Sequence, residues 1–129
     1  MNPFSFMGSN AVFFGVDRVE QLANDIAELD PKTSKIAVIG DFGIAQAGIL
    51  DRIQSILARS EYDVTVFSEL TGEPNATVVD QVAQVLRQLD HPVVVGVGGG
   101  SALDVAKLAA VIAEDEIAAE EYALCARPF

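Results

Sequence analysis

This chain is short of the residues that do covalent and metal chemistry. Among its 129 residues there is one cysteine, Cys125, one histidine, His91, and no tryptophan. A single cysteine excludes an internal disulfide framework and a cysteine metal cluster, and no histidine or asparagine constellation surrounds it to make a catalytic thiol. One imidazole cannot assemble an iron or zinc site of mixed nitrogen and oxygen ligands. His91 stands between a helical pattern and Pro92 and reads as a turn or helix-end residue. Basic residues are scarce too: 8 lysines and arginines face 19 aspartates and glutamates, a formal charge of −11. That balance leaves no basic face for a nucleic acid. No apolar run reaches the length of a membrane span, and no basic-then-apolar leader opens the chain. A cytoplasmic protein that engages neither nucleic acid nor membrane is expected. The acidic group Glu114-Asp115-Glu116 with Glu120-Glu121 reads as solvated surface rather than a metal site.

What the chain has is apolar residue in a regular pattern. Half of it is hydrophobic and 21% charged, which excludes disorder and allows one domain with a real core. Asp17, with Glu20 three residues on, marks a helix start. Val19, Leu22, Ala23, Ile26 and Leu29 then recur at helical spacing until Asp30-Pro31. Residues 35–39 form a short buried strand ended by Gly40-Asp41-Phe42-Gly43. Ile49, Leu50, Ile53, Ile56 and Leu57 mark a second helix, with Gly48 inside it. A second strand covers residues 62–67, and a loop with the turn formers Gly72 and Pro74 covers 68–75. Val78, Val79, Val82, Val85, Leu86 and Leu89 are mostly β-branched, but their spacing predicts a helix. After His91-Pro92 comes the strand Val93-Val94-Val95-Gly96-Val97, then a helix over 101–112 with Ser101 as its cap and Asp104 in its first turn. Residues 11–15 offer one further edge strand. Strands separated by helices of this length imply right-handed crossovers and a parallel sheet. The fold class is therefore α/β, a three-layer Rossmann-like parallel sheet, with all of 1–129 in one incomplete dinucleotide-binding domain.

In an open parallel sheet, ligands bind beyond the carboxyl ends of the strands. Here those ends are residues 40–43, 69–75 and 98–101, which should converge on one crevice. Strand, triple glycine and helix N-terminus in that order make a site for phosphate at Gly98, Gly99, Gly100 and Ser101. Free backbone N–H groups and the positive end of the helix dipole face the anion there. This is neither the G-x-G-x-x-G fingerprint, which belongs after the first strand, nor a Walker loop, since no Gly-Lys-Ser/Thr follows. Asp41, past the first buried strand, either accepts hydrogen bonds from a ribose 2′-hydroxyl or caps a turn or the next helix; the first role favours NAD over NADP. Asn75 reads locally as a cap after Pro74. Asp104 suits a helix start by itself, and Lys107 suits a surface pair with it at i, i+3.

Gly98-Gly99-Gly100-Ser101-x-x-Asp104-x-x-Lys107, with Phe14-Gly15, Val38-x-x-Asp41 and Pro74-Asn75, resembles the N-terminal part of the iron-containing, or group III, alcohol dehydrogenases from about Ala11 onward. The resemblance implies that the glycine motif holds the dinucleotide pyrophosphate and that Asp41 is the adenosine-ribose carboxylate. It places Asn75 near the cofactor. Gly99, Gly100, Ser101 and Asp104 line the pyrophosphate and nicotinamide side, with Leu103 and Lys107 completing the cofactor-binding set. It implies hydride transfer between an alcohol and an aldehyde or ketone on NAD. The metal, iron or zinc, acts as Lewis acid in the full-length enzyme, bound by one aspartate and three histidines of a helical domain.

No catalytic or metal-ligating residue is assigned within these 129 residues, so the chain alone is expected to be inactive, a truncated product or excised portion. A homo-oligomer is expected, through strand edges and apolar faces left open. Glycerol dehydrogenases and dehydroquinate synthase-like enzymes carry the same glycine motif and form a neighbouring branch. A non-catalytic nucleotide-binding or oligomerisation module is the competing class.

Overall fold

A computed structural model gives the fold and describes residues 13–70 and 75–115. A short 3-10 turn, Arg18–Gln21, leads into α1, Leu22–Leu29. There follow β1 (Lys35–Asp41), α2 (Phe42–Gln46), α3 (Ile49–Arg59), β2 (Asp63–Leu70), α4 (Ala76–Gln88), β3 (Val93–Val97) and α5 (Gly100–Asp115). The strands make one parallel sheet in the order β2-β1-β3, with β1 central.

Alternation along β1 divides the core into two layers, as a strand's period of two requires. Ile36 and Val38 face α1 and α3, where Ile26, Leu50, Ile53 and Leu57 complete a buried cluster. Ala37 and Ile39 face the other way, into a cluster with Val79, Val82, Ala83 and Leu86 of α4 and Ala102, Val105, Ala109 and Ile112 of α5. The three-layer α/β arrangement is thus the one the alternation of patterns implies. Burial decides the valine-rich segment: Val79, Val82 and Leu86 lie on one helix face, and packing overrides β-branched propensity.

Several local readings change. Gly48 is not inside a helix; at φ 81° it separates α2 from α3 as the left-handed residue before Ile49. The segment 40–43 is not a loop, because β1 runs to Asp41 and α2 begins at Phe42. Strand β2 extends to Leu70, three residues beyond the expected end. Helix α5 begins at Gly100, so Ser101 lies within the first turn and Asp104 beyond it. Asp17 precedes the 3-10 turn with φ 55°, and its side chain makes no cap. Its carboxylate instead accepts from Arg52 Nη2 at 3.1 Å. The edge strand expected at 11–15 is not formed by residues 13–15, and residues 11 and 12 lie outside the described residues.

Candidate functional site

The connections after β1 and β3 leave the sheet toward opposite layers: α2 and α3 pack with the first cluster, α5 with the second. Adjacent parallel strands whose crossovers diverge in this way open a crevice at their carboxyl ends. Register places the residues that meet there. Gly40 pairs with Val97, so Asp41 stands beside Gly98; on its other side Asp41 pairs with Leu70. Strand β2 has two residues, Ser68 and Glu69, where β1 has only Gly40 between Ile39 and Asp41, and this bulge carries Leu70 alongside the carboxylate.

Asp41 uses its oxygens differently. Oδ1 accepts from the Ile44 backbone N–H at 2.7 Å, capping α2. Oδ2 has no hydrogen-bond partner among the described residues and lies toward the glycine turn: a Cβ added at Gly98 would sit 3.2 Å from it. Gly98 also has φ 137° and Ala102 Cβ 3.1 Å from the same point, so both backbone and space demand glycine there. Gly99 and Gly100 differ, since a Cβ on either would meet open space. That space is a cavity of about 460 Å³ lined by residues 41–43, Leu70, Val78, residues 99–102 and Val105. The first-turn amides of α5, whose partners lie outside the helix by construction, open onto it. The cavity pairs a glycine turn, where helix N-terminal amides favour an anion, with a carboxylate at Asp41, and its other wall is apolar.

Of the residues singled out in the sequence, Asp41, Gly99, Gly100 and Ser101 line this cavity, and Gly98 supports it from behind. Asn75 does not line it; its Oδ1 accepts from the Val78 N–H at 2.9 Å and caps α4, which positions Val78 in the wall. Leu103, Asp104 and Lys107 do not line it either. At 100° per residue Leu103 and Lys107 turn away from Ser101, Ala102 and Val105, while Asp104, three residues after Ser101, stands beside it one turn further from the cavity. Leu103 is half-exposed and its Cδ2 lies 3.2 Å from where a Gly96 Cβ would be. Asp104 and Lys107 are exposed, and no ion pair joins them among the described residues. The sequence brings Phe42 and Leu70 to the crevice only as members of the strand-end segments 40–43 and 69–75, with no role of their own, and Val78 not at all. The signal for Phe42 is an aromatic residue directly after a strand-end aspartate, whereas the bulge that sets Leu70 alongside Asp41 is not a sequence pattern.

A metal finds no donor set here: among the described residues no group of three histidine, cysteine, aspartate or glutamate side chains is placed to hold one. His91 lies at the opposite end of β3, at φ 57° in the turn after α4, with Nδ1 2.9 Å from Glu114 Oε1.

Comparison with known proteins fits this geometry. The family model "iron-containing alcohol dehydrogenase" matches residues 9–128. A long-chain-alcohol dehydrogenase from Geobacillus thermodenitrificans is 34% identical over 108 residues, which are 84% of this chain and 27% of that protein. Alcohol dehydrogenase 4 of Saccharomyces cerevisiae is 35% identical over 101 residues, 78% of this chain and 26% of the yeast protein. Among solved structures, sulfoacetaldehyde reductase from Bifidobacterium kashiwanohense in complex with NAD+ superposes with TM-score 0.70 at 30% identity, covering 84% of this chain and 28% of that one. The chain therefore spans about a quarter of the length of the relatives it matches. A family match over nearly its whole length, on a fold whose strand ends build the crevice just described, makes this chain a member of the iron-containing alcohol dehydrogenase family.

Proposed function

We propose that this chain is the dinucleotide-binding part of an alcohol dehydrogenase that moves hydride between an alcohol and an aldehyde or ketone, with NAD as its cofactor. The observation that carries the reading is the meeting of Asp41 Oδ2 with the glycine turn across one cavity at the sheet's switch point. The pyrophosphate lies on the N–H groups of Gly99, Gly100 and Ser101 at the α5 N-terminus, where backbone amides and helix dipole favour an anion. The adenosine ribose donates a hydroxyl to Asp41 Oδ2. A 2′-phosphate at that position would face a carboxylate with no cation among the cavity residues, so NAD is favoured over NADP. Relatives named for NADH and NAD+ support the same choice.

Asn75 acts in this reading through the cap that holds Val78. Gly98 keeps the turn close to Asp41. Leu103, Asp104 and Lys107, which do not line the described cavity, reach cofactor only where it extends past that cavity. The described residues supply binding and orientation of one reactant, and no step is assigned to a metal because they do not fit one. We also propose that the enzyme to which this chain belongs is a homo-oligomer that acts on a small alcohol or carbonyl substrate. No helix among the described residues is long and apolar enough to cross a membrane.

Calorimetric titration of the chain with NADH and NADPH tests the reading. NADH is expected to bind and NADPH to bind more weakly; absence of binding by both at millimolar concentration defeats it.

A further inference from the structure

We propose that the ring of Phe42 is the face on which the adenine base of the dinucleotide stacks, an inference that rests on the cofactor reading above. Phe42 directly follows Asp41, opens α2 and lines the same cavity. It is 51% exposed, whereas Leu70, Val78 and Val105 across the cavity are buried or half-buried in the layer formed with α4 and α5. No ring or cation covers it among the described residues; the cation–ring contact there is between Arg18 and Phe13. An aromatic face left in water at the mouth of a site offers its area to a flat ligand.

Position follows from the two polar anchors. In a nucleotide the ribose lies between phosphate and base. A ligand with its phosphates at the α5 turn and its ribose at Asp41 carries its base past Asp41, where the wall is Phe42 and Gly43. Gly43 has no side chain to crowd that wall, and the opposing apolar residues are Leu70 and Val78. None of the three side chains, Phe42, Leu70 and Val78, has a donor or acceptor to read the edge of a base. The base is held by its face, so the site tolerates a change of purine while requiring a ring at position 42.

The test uses the 129-residue chain and ADP-ribose, which carries the adenosine half without the nicotinamide. Phe42→Ala is expected to weaken ADP-ribose by roughly five- to a hundred-and-fiftyfold, the range that base–aromatic stacking spans. Phe42→Tyr is expected to stay within about twofold of the parent, as is the hypoxanthine analogue of ADP-ribose, since stacking survives both changes. In the parent complex, nuclear Overhauser effects should join the Phe42 ring to adenine H2 or H8. Unchanged affinity in Phe42→Ala, or a bound complex without those effects, overturns the proposal and leaves the cofactor reading standing. Failure of the parent chain to bind ADP-ribose at all overturns both. Should Phe42→Ala disturb α2, seen as a moved Ile44 amide resonance, the Overhauser measurement on the parent decides alone.

Discussion

At Asp41 one carboxylate oxygen is held by the Ile44 amide and the other faces the glycine turn, so substitutions there separate stability from recognition. Asparagine keeps an oxygen to cap α2 but removes the charge. Asp41→Asn is expected to leave the melting temperature nearly unchanged while NADPH affinity rises on the order of tenfold relative to NADH, about 1.4 kcal/mol; a titration pair with both cofactors reads this directly. Gly98 gives the complementary case. At φ 137°, with Ala102 Cβ and Asp41 Oδ2 both within about 3.2 Å of an added Cβ, Gly98→Ala strains the backbone and displaces the carboxylate together. A stability loss of about 1–3 kcal/mol in urea unfolding is expected. Gly99→Ala, which meets open space, should cost far less stability, and its effect should instead appear in cofactor titration. Equal unfolding midpoints for the two variants would contradict the division of labour inside the glycine turn.

Helix α5 is tied to the end of α4 at the far end of the sheet from the site, and this tie titrates. Arg87 Nη2 donates to the Ile112 carbonyl at 2.7 Å, and His91 Nδ1 meets Glu114 Oε1 at 2.9 Å. The hydrogen bond to Glu114, then the charges of Glu114 and Asp90, raise the His91 pKa above its ordinary 6.5. A raised folded-state value means the pair contributes fully below pH 6.5 and loses its contribution as pH climbs through the folded-state value. The effect is small, since both side chains are exposed. Imidazole resonances followed against pH should give a midpoint above 6.5 that falls back in Glu114→Gln. Residue patterns foresaw less of such ties than of the elements themselves. All three strands and the three longest helices follow from apolar spacing, because burial on one face is what spacing encodes. Element ends were less legible. Gly48 was read through because a glycine does not interrupt an apolar stripe, although its left-handed φ does interrupt the helix. Ser68 and Glu69 look like loop, yet the bulge keeps them in β2. At the site, a carboxylate that caps with one oxygen and turns the other to the glycine turn looks the same in sequence as one that only caps. Register between β1 and β3, a long-range property, was needed to set Asp41 beside Gly98.

Over the whole molecule, a sheet of three strands leaves the outer edges of β2 and β3 without a strand partner among the described residues. Beside the β3 edge lies a hollow of about 880 Å³ whose walls include Leu86, Pro92, Val93, Val94 and Val111 and whose rim carries Asp30, Asp90 and Glu114. Phe13, Phe14 and Val16 add exposed apolar area near the other end of the chain. Open edges and apolar hollows favour association of copies, while a charge of −11 opposes it through mutual repulsion. The two forces respond differently to salt: the screening length falls from about 30 Å at 0.01 M to about 3 Å at 1 M, whereas apolar contact is not screened. Sedimentation of the chain at a fixed concentration should therefore shift from smaller to larger species as sodium chloride rises across that range. A single species with the same sedimentation coefficient at both salt extremes would show that neither edge is used for self-association.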